Sequence, residues 1–197
     1  MSIRIRVNVS RSNAKYLEDL LKILAENGLQ KCFVYVACVR AYTKREDGSV
    51  LTAEEFSNVV IDFAKLLKKY EFGFYLDSCY PHFLFSSCGA GTESDLVIDP
   101  DGYLYRCFAE LGHIRSHYGN ILNTNLKSNI NWHINNIKYL TCSPFEKQEC
   151  VSCKVLPLCL GGCKFYTLNT GEPDCSVWKY NINEALKAFC DLMKKDE

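Results

Sequence analysis

CVSCKVLPLCLGGC, residues 150–163, packs four cysteines and two adjacent glycines into fourteen positions. Iron-sulfur clusters and structural zinc both need thiolates that converge on one point, and turns present them better than straight elements. A C-x2-C pair comes from a single turn, and Gly161-Gly162 lets the chain bend tightly before Cys163. Cys150, Cys153, Cys159 and Cys163 therefore read as metal ligands. Cys175 follows twelve residues later, while Cys88 and Cys107 lie upstream, and the resulting set of seven is too many for one four-ligand site and one short of two.

The chain of 197 residues holds one ordinary domain or two small ones, and its 48% apolar content is that of a globular protein with a core. Lys plus Arg equals Asp plus Glu at 23 each, so no global field draws the chain to nucleic acid or to an acidic membrane. The start, MSIRIRVNVS, has no basic segment followed by a long apolar one, and the longest apolar run, residues 32–39, is too short to span a bilayer. These features imply a soluble, cytosolic protein. Twelve cysteines in a reducing compartment will not persist as disulfides, which turns the reading towards metal or redox chemistry. Cys32, Cys38 and Cys190 stand in apolar strand or helix patterns and read as small buried hydrophobes.

Before residue 80 the pattern alternates. IRIRVNV (3–9) reads as a strand, and Asn13 is placed to cap a helix whose apolar residues Tyr16, Leu17, Leu20, Leu21 and Leu24 recur at helical spacing until Asn27-Gly28. KCFVYVA (31–37) is a second, buried strand. Thr52 and Glu55 form a capping box for a second helix, along which Phe56, Val59, Val60, Phe63, Leu66 and Leu67 trace one face. FGFYLD (72–77) reads as a third strand. This order implies parallel strands with right-handed crossovers, an α/β unit whose open edge needs a partner. From about Pro81 the alternation stops, and SDLVIDPDGYLYRCF reads as a hairpin turning at Asp99-Pro100-Asp101-Gly102. Asn-rich polar turns follow, then the cysteine cluster, then a helix from about Asn183 to Lys194. The domain boundary falls near residue 80, giving segments 1–80 and 81–197.

The pattern Cys88-x13-Gly102-x4-Cys107, a gap, Cys150-x2-Cys153-x5-Cys159-x3-Cys163, a gap, Cys175 resembles the seven-cysteine signature of SPASM domains, the C-terminal extensions of many radical SAM enzymes. VIDPDGYLYRC and CKVLPLCLGGC are similar to that family's wording. The resemblance covers roughly residues 80–180. It implies two auxiliary 4Fe-4S clusters with interleaved ligands: Cys88, Cys107 and Cys163 on the first, and Cys150, Cys153, Cys159 and Cys175 on the second. An eighth cysteine, which full-ligand members carry a few residues after the first, is replaced here by the run Gly89 to Ser94. Either Cys79 or Cys142 supplies that thiolate, or one iron has an open position of the kind peptide-modifying members use for substrate.

The same resemblance makes segment 1–80 look like the later units of a radical SAM partial barrel, a fragment of three strands and two helices. Asn8 and Arg11 of VNVSRSN would then lie on the S-adenosylmethionine side. The superfamily's C-x3-C-x2-C loop is absent from these residues, so the resemblance implies the C-terminal half of a larger enzyme, as a truncated chain or a split gene, with the missing N-terminal radical SAM half as partner. The implied function is modification of a ribosomally made, cysteine-containing precursor peptide, through a thioether or related cross-link, with the two clusters positioning substrate and carrying electrons. Phe108 follows Cys107 where sulfatase-maturing members carry an acid, which points away from sulfatase maturation. The alternative is a structural zinc module of four-cysteine sites without catalytic activity. His82, His113, His117 and His133 follow no ligand spacing, Asp99 and Asp101 read as turn formers, and Trp132 and Trp178 as core.

Overall fold

The computed structural model describes residues 3–40, 48–73, 81–123, 125 and 128–193. The chain forms two compact units, Met1–His82 with Ser176–Glu197, and Phe83–Cys175.

In the first unit, strand β1 (Arg4–Val9) leads through a 3-10 turn at Ala14–Tyr16 into helix α1 (Leu17–Glu26), then strand β2 (Phe33–Cys38) and helix α2 (Ala53–Lys69). The strands pair in parallel, Arg4 opposite Phe33 through Val9 opposite Cys38. Alternation sends Ile5, Val7 and Val9, with Val34 and Val36, into a core shared with Leu17, Leu21, Phe63 and Phe72. The opposite face carries the exposed Arg4, Arg6 and Asn8, with the Arg4 guanidinium 5.7 Å from the Phe33 ring centre. β2 is thus half-covered rather than buried on both faces. The strand expected at 72–77 falls largely, and Cys79 wholly, outside the described residues.

The Thr52–Glu55 capping box is present: the Thr52 hydroxyl accepts the Glu55 N–H at 3.1 Å, and Glu55 Oε2 accepts the Thr52 N–H at 2.8 Å. Asn13 behaves differently from the expected cap. Its side chain accepts the Ser10 N–H at 2.8 Å and donates to the Asn8 carbonyl at 2.9 Å, tying the end of β1 instead of the helix. Tyr16 accordingly faces solvent, beside Lys15.

The second unit begins with the hairpin β3 (Val97–Ile98) and β4 (Leu104–Tyr105), paired antiparallel. Asp99 Oδ1 accepts the N–H groups of Asp101 and Tyr103, so it forms the turn. The Asn-rich stretch read as polar turns contains helix α3 (Ile130–Thr141), started by Asn129, whose Oδ1 accepts the Asn131 N–H. Its apolar side chains do not make a buried stripe: Ile130, Ile134 and Ile137 are exposed and Tyr139 alone is fully buried, which is why periodicity does not reveal it. The cysteine-rich stretch is built from short helical turns, α4 (Gln148–Val151), α5 (Leu156–Cys159) and α6 (Lys164–Thr170), rather than open loops.

The last helix, α7 (Trp178–Met193), is bent at Asn181 and belongs to the first unit, not to segment 81–197. It packs on α2, where Asn181 Nδ2 donates to Ser57 Oγ at 2.6 Å and Asn58 Oδ1 at 2.7 Å, and Lys68 donates to the Asp191 carbonyl at 3.0 Å. Cys32 is buried and Cys38 half-buried, but Cys190 is exposed on α7 and does not read as core. Trp132 is half-buried edge-on to Tyr118, and Trp178 is half-buried too.

Candidate functional site

All seven cysteines of the spacing pattern fall in the Phe83–Cys175 unit, none of them in a disulfide. Their backbones explain how a short stretch presents several of them. The Cys150 N–H bonds the Lys147 carbonyl, the Cys153 N–H the Cys150 carbonyl, the Leu156 N–H the Cys153 carbonyl and the Gly162 N–H the Cys159 carbonyl, so the chain reverses at nearly every cysteine. Leu160, Gly161 and Gly162 then take three successive left-handed conformations, with φ of 45°, 80° and 70°.

At Gly162 a side chain is excluded twice over: by that φ, and because a Cβ would fall inside the van der Waals envelope of the Asp174 carbonyl oxygen. The bare glycine therefore lets the residues before Cys175 lie directly against the loop. Asp174 Oδ2 then accepts the Cys163 N–H at 2.9 Å.

The thiols divide into two groups. Cys150, 7% exposed, is pushed up from its ordinary pKa by burial first, and then by Cys175, Cys159, Glu149 and Cys153 around it. Cys107 is pushed up by burial, then by Cys163, Glu110 and Cys88, while an N–H from Ala109 to its sulfur works the other way. The structure therefore brings Cys150, Cys153, Cys159 and Cys175 into one neighbourhood, and Cys88, Cys107 and Cys163 into another. Thiols that oppose one another's ionisation ask for a cationic centre, and the donor chemistry fits an iron-sulfur core. Among the described residues no three His, Cys, Asp or Glu side chains come close enough to share a single metal ion. A 4Fe-4S core binds each thiolate to a different iron and so holds its ligands further apart than one zinc ion does. The segment before Cys88 is fastened to α5 by the Leu84 N–H on the Pro157 carbonyl, 3.1 Å.

Behind Cys107 lies a buried polar group that sequence reasoning missed. Arg106 and Glu110 are each 2% exposed, and Tyr118 and Tyr139 are fully buried. Arg106 donates to the Asp95 carbonyl at 2.7 Å. Burial pushes the Glu110 carboxyl up, and the Tyr139 hydroxyl stands near it without closing a hydrogen bond. No periodicity marks such residues, because the hairpin and α3 bury them only once both are folded.

On the first unit, Arg11 is engaged in fastening. Its Nε donates to the Gly48 carbonyl at 3.0 Å, and its Nη2 to the Val50 carbonyl at 3.2 Å and Glu55 Oε2 at 2.8 Å. Asn8 is exposed on β1, where its Oδ1 accepts from Arg6 Nε at 3.0 Å. Among the described residues the histidines join no group of ligands, and no helix is long and apolar enough to cross a membrane.

Solved structures add one comparison. A structure of native anSMEcpe with bound AdoMet and Kp18Cys peptide superposes with a TM-score of 0.63 at 20% identity, covering 96% of this chain and 56% of that one. The chain shares the fold of anSMEcpe. The structure of anSMEcpe with AdoMet and Cp18Cys peptide gives a TM-score of 0.60 at 17% identity, again over 96% of this chain and 56% of that one. anSMEcpe is an anaerobic sulfatase-maturating enzyme with radical SAM and SPASM parts, and this chain spans little more than half its length. No family model and no curated protein matches the sequence.

Proposed function

We propose that this chain is the later, cluster-bearing part of a radical SAM/SPASM enzyme that modifies a ribosomally made peptide. One observation carries the reading: a chain with the fold of anSMEcpe gathers its thiols as one group of four and one group of three in a single compact unit. Cys150, Cys153, Cys159 and Cys175 would hold one auxiliary 4Fe-4S cluster, and Cys88, Cys107 and Cys163 the other. Bound there, such clusters supply one-electron transfer. The chain's own part is to bury the thiols, to give the Ala109 N–H to the Cys107 sulfur and to hold the two loops together through Gly162 and Asp174.

In this reading β1, α1, β2 and α2 are later units of a partial β/α barrel. Asn8 and its neighbour Arg6 face the S-adenosylmethionine side, and Arg11 shapes that end of β1 by holding residues 48–50 and Glu55. C-x3-C-x2-C is absent from these 197 residues, so the part that cleaves S-adenosylmethionine is a partner region of the same enzyme. The peptides bound to anSMEcpe support a peptide substrate, here a cysteine-containing precursor that receives a thioether or related cross-link. Phe108, 78% exposed directly after Cys107, puts an apolar surface beside the first thiol group. Free thiols and clusters of this kind belong to the reducing cytoplasm.

The test is anaerobic reconstitution of this chain with iron and sulfide. Two four-iron clusters give about eight irons and about eight sulfides per chain. With S-adenosylmethionine and a strong reductant, this chain alone yields no 5'-deoxyadenosine. Binding of zinc with no sulfide would overturn the cluster reading, and formation of 5'-deoxyadenosine the division of labour.

A further inference from the structure

We propose that Cys142 is the fourth protein ligand of the first cluster, completing Cys88, Cys107 and Cys163, so that no iron corner is left for substrate. The inference rests on the cluster reading above and deepens it.

The three-thiol group lacks a cysteine in the run of residues 89–94 that follows Cys88, so a fourth protein thiolate can come only from elsewhere in the fold. Cys142 is the residue at which α3 ends. Its φ of −63° and ψ of 98° turn the chain out of the helix, and its half-buried thiol lies within electrostatic reach of Cys88. The approach is built in, because α3 packs against the short 3-10 turn Gly89–Gly91 that directly follows Cys88.

Lys164 locks this arrangement. It is the next residue after Cys163, and its Nζ donates to the Cys142 carbonyl at 2.8 Å and the Tyr139 carbonyl at 2.9 Å. Those are carbonyls of the last turn of α3, which a helix leaves without internal partners. On the way there the lysine stem passes Gly91, where a Cβ would stand 2.7 Å from Lys164 Cε. One side chain thus joins the three backbone segments that bring Cys88, Cys142 and Cys163 together. Cys142, Gly162 and Lys164 also line a common shallow pocket, walled by Pro144, Leu160 and Pro173.

The chemical consequence separates two jobs. A cluster with an open iron accepts an outside thiolate, whereas one with four protein thiolates has no such place and is confined to electron transfer. With Cys142 in position, the first cluster does not hold the peptide's cysteine, and the peptide must be held by protein groups.

The experiment reads the electron paramagnetic resonance signal of the reduced first cluster in the full reconstituted chain, with 2-mercaptoethanol as the probe thiol. The wild-type signal is expected to be unchanged by the thiol. In Cys142→Ala and Cys142→Ser the signal is expected to shift on addition of thiol, while the second cluster's signal stays as it was and reports that the unit is folded. Cys79→Ala is expected to behave as wild type. A wild-type signal that moves with thiol, Cys142 variants indistinguishable from wild type, or a Cys79→Ala variant that alone gains the response would each overturn the assignment while leaving two clusters in place. A wild-type chain that takes up no iron and sulfide would remove the cluster reading itself, and this inference with it.

Discussion

The Cys163 N–H donates to Asp174 Oδ2 at 2.9 Å, so the last thiol of the 150–163 stretch is held by the residue just before Cys175. The two cysteines are neighbours through the backbone yet belong to different thiol groups, Cys163 with Cys107 and Cys175 with Cys150.

That separation predicts unequal outcomes for two similar substitutions. Cys163→Ala should weaken the first cluster, leaving it Cys88, Cys107 and Cys142, and leave the second with Cys150, Cys153, Cys159 and Cys175. Cys175→Ala should weaken the second alone. Each should also lower thermal stability, since ligation is coupled to folding. Iron counting with electron paramagnetic resonance on both variants checks this, and loss of the same signal in both would refute it.

Gly162→Ala should be far more damaging than its size suggests. The left-handed conformation alone costs an alanine roughly 1–2 kcal/mol, and the added methyl would also press on the Asp174 carbonyl, a backbone atom that cannot rotate away. The expected result is a lower unfolding temperature together with reduced iron content. Gly112→Ala, at φ 80° but with open space around it, should show only the conformational cost and keep its iron.

The capping box predicts a local, pH-dependent effect. Thr52→Ala should destabilise the first unit by about 1 kcal/mol through loss of the α2 cap. Glu55 is held down to about 2 from the usual 4.5, first by its hydrogen bond from Arg11 and then by the Thr52 N–H. A folded pKa below the unfolded one stabilises above the unfolded value, and that contribution is lost as pH falls through the folded value. The stability gap between wild type and Glu55→Gln should therefore be full above pH 4.5 and narrow towards pH 2, as followed by circular dichroism on heating. A gap independent of pH would count against the Arg11–Glu55 pair.

What could be read in advance was local. Thr52 and Glu55, three residues apart, and Asp99 with Gly102 declare a cap and a turn because their partners lie within one turn of chain. Leu17 and Leu21 declare a buried face because helical spacing already places them on one side. α3 was not legible: its asparagines favour turns, and all three of its isoleucines stay exposed. Asn13 departs from its expected role because both ends of its side-chain amide are engaged by the backbone before it, Oδ1 by the Ser10 N–H and Nδ2 by the Asn8 carbonyl.

By itself, the chain's composition and spacing determined that seven thiols at these intervals are presented by turns, and that strand and helix alternate from Arg4 to Lys69. Only the tertiary structure decided which thiols lie within electrostatic reach of one another. Sequence puts Cys163 four residues from Cys159, but three left-handed residues at 160–162 turn the chain between them, and Cys163 comes within electrostatic reach of Cys107. The tertiary structure likewise decided that α7 joins α2 through Asn181 and Ser57, and that Cys142 approaches Cys88. These are contacts between residues tens of positions apart. Their geometry comes from packing and from backbone hydrogen bonds that exist only in the folded chain, so no local pattern encodes them.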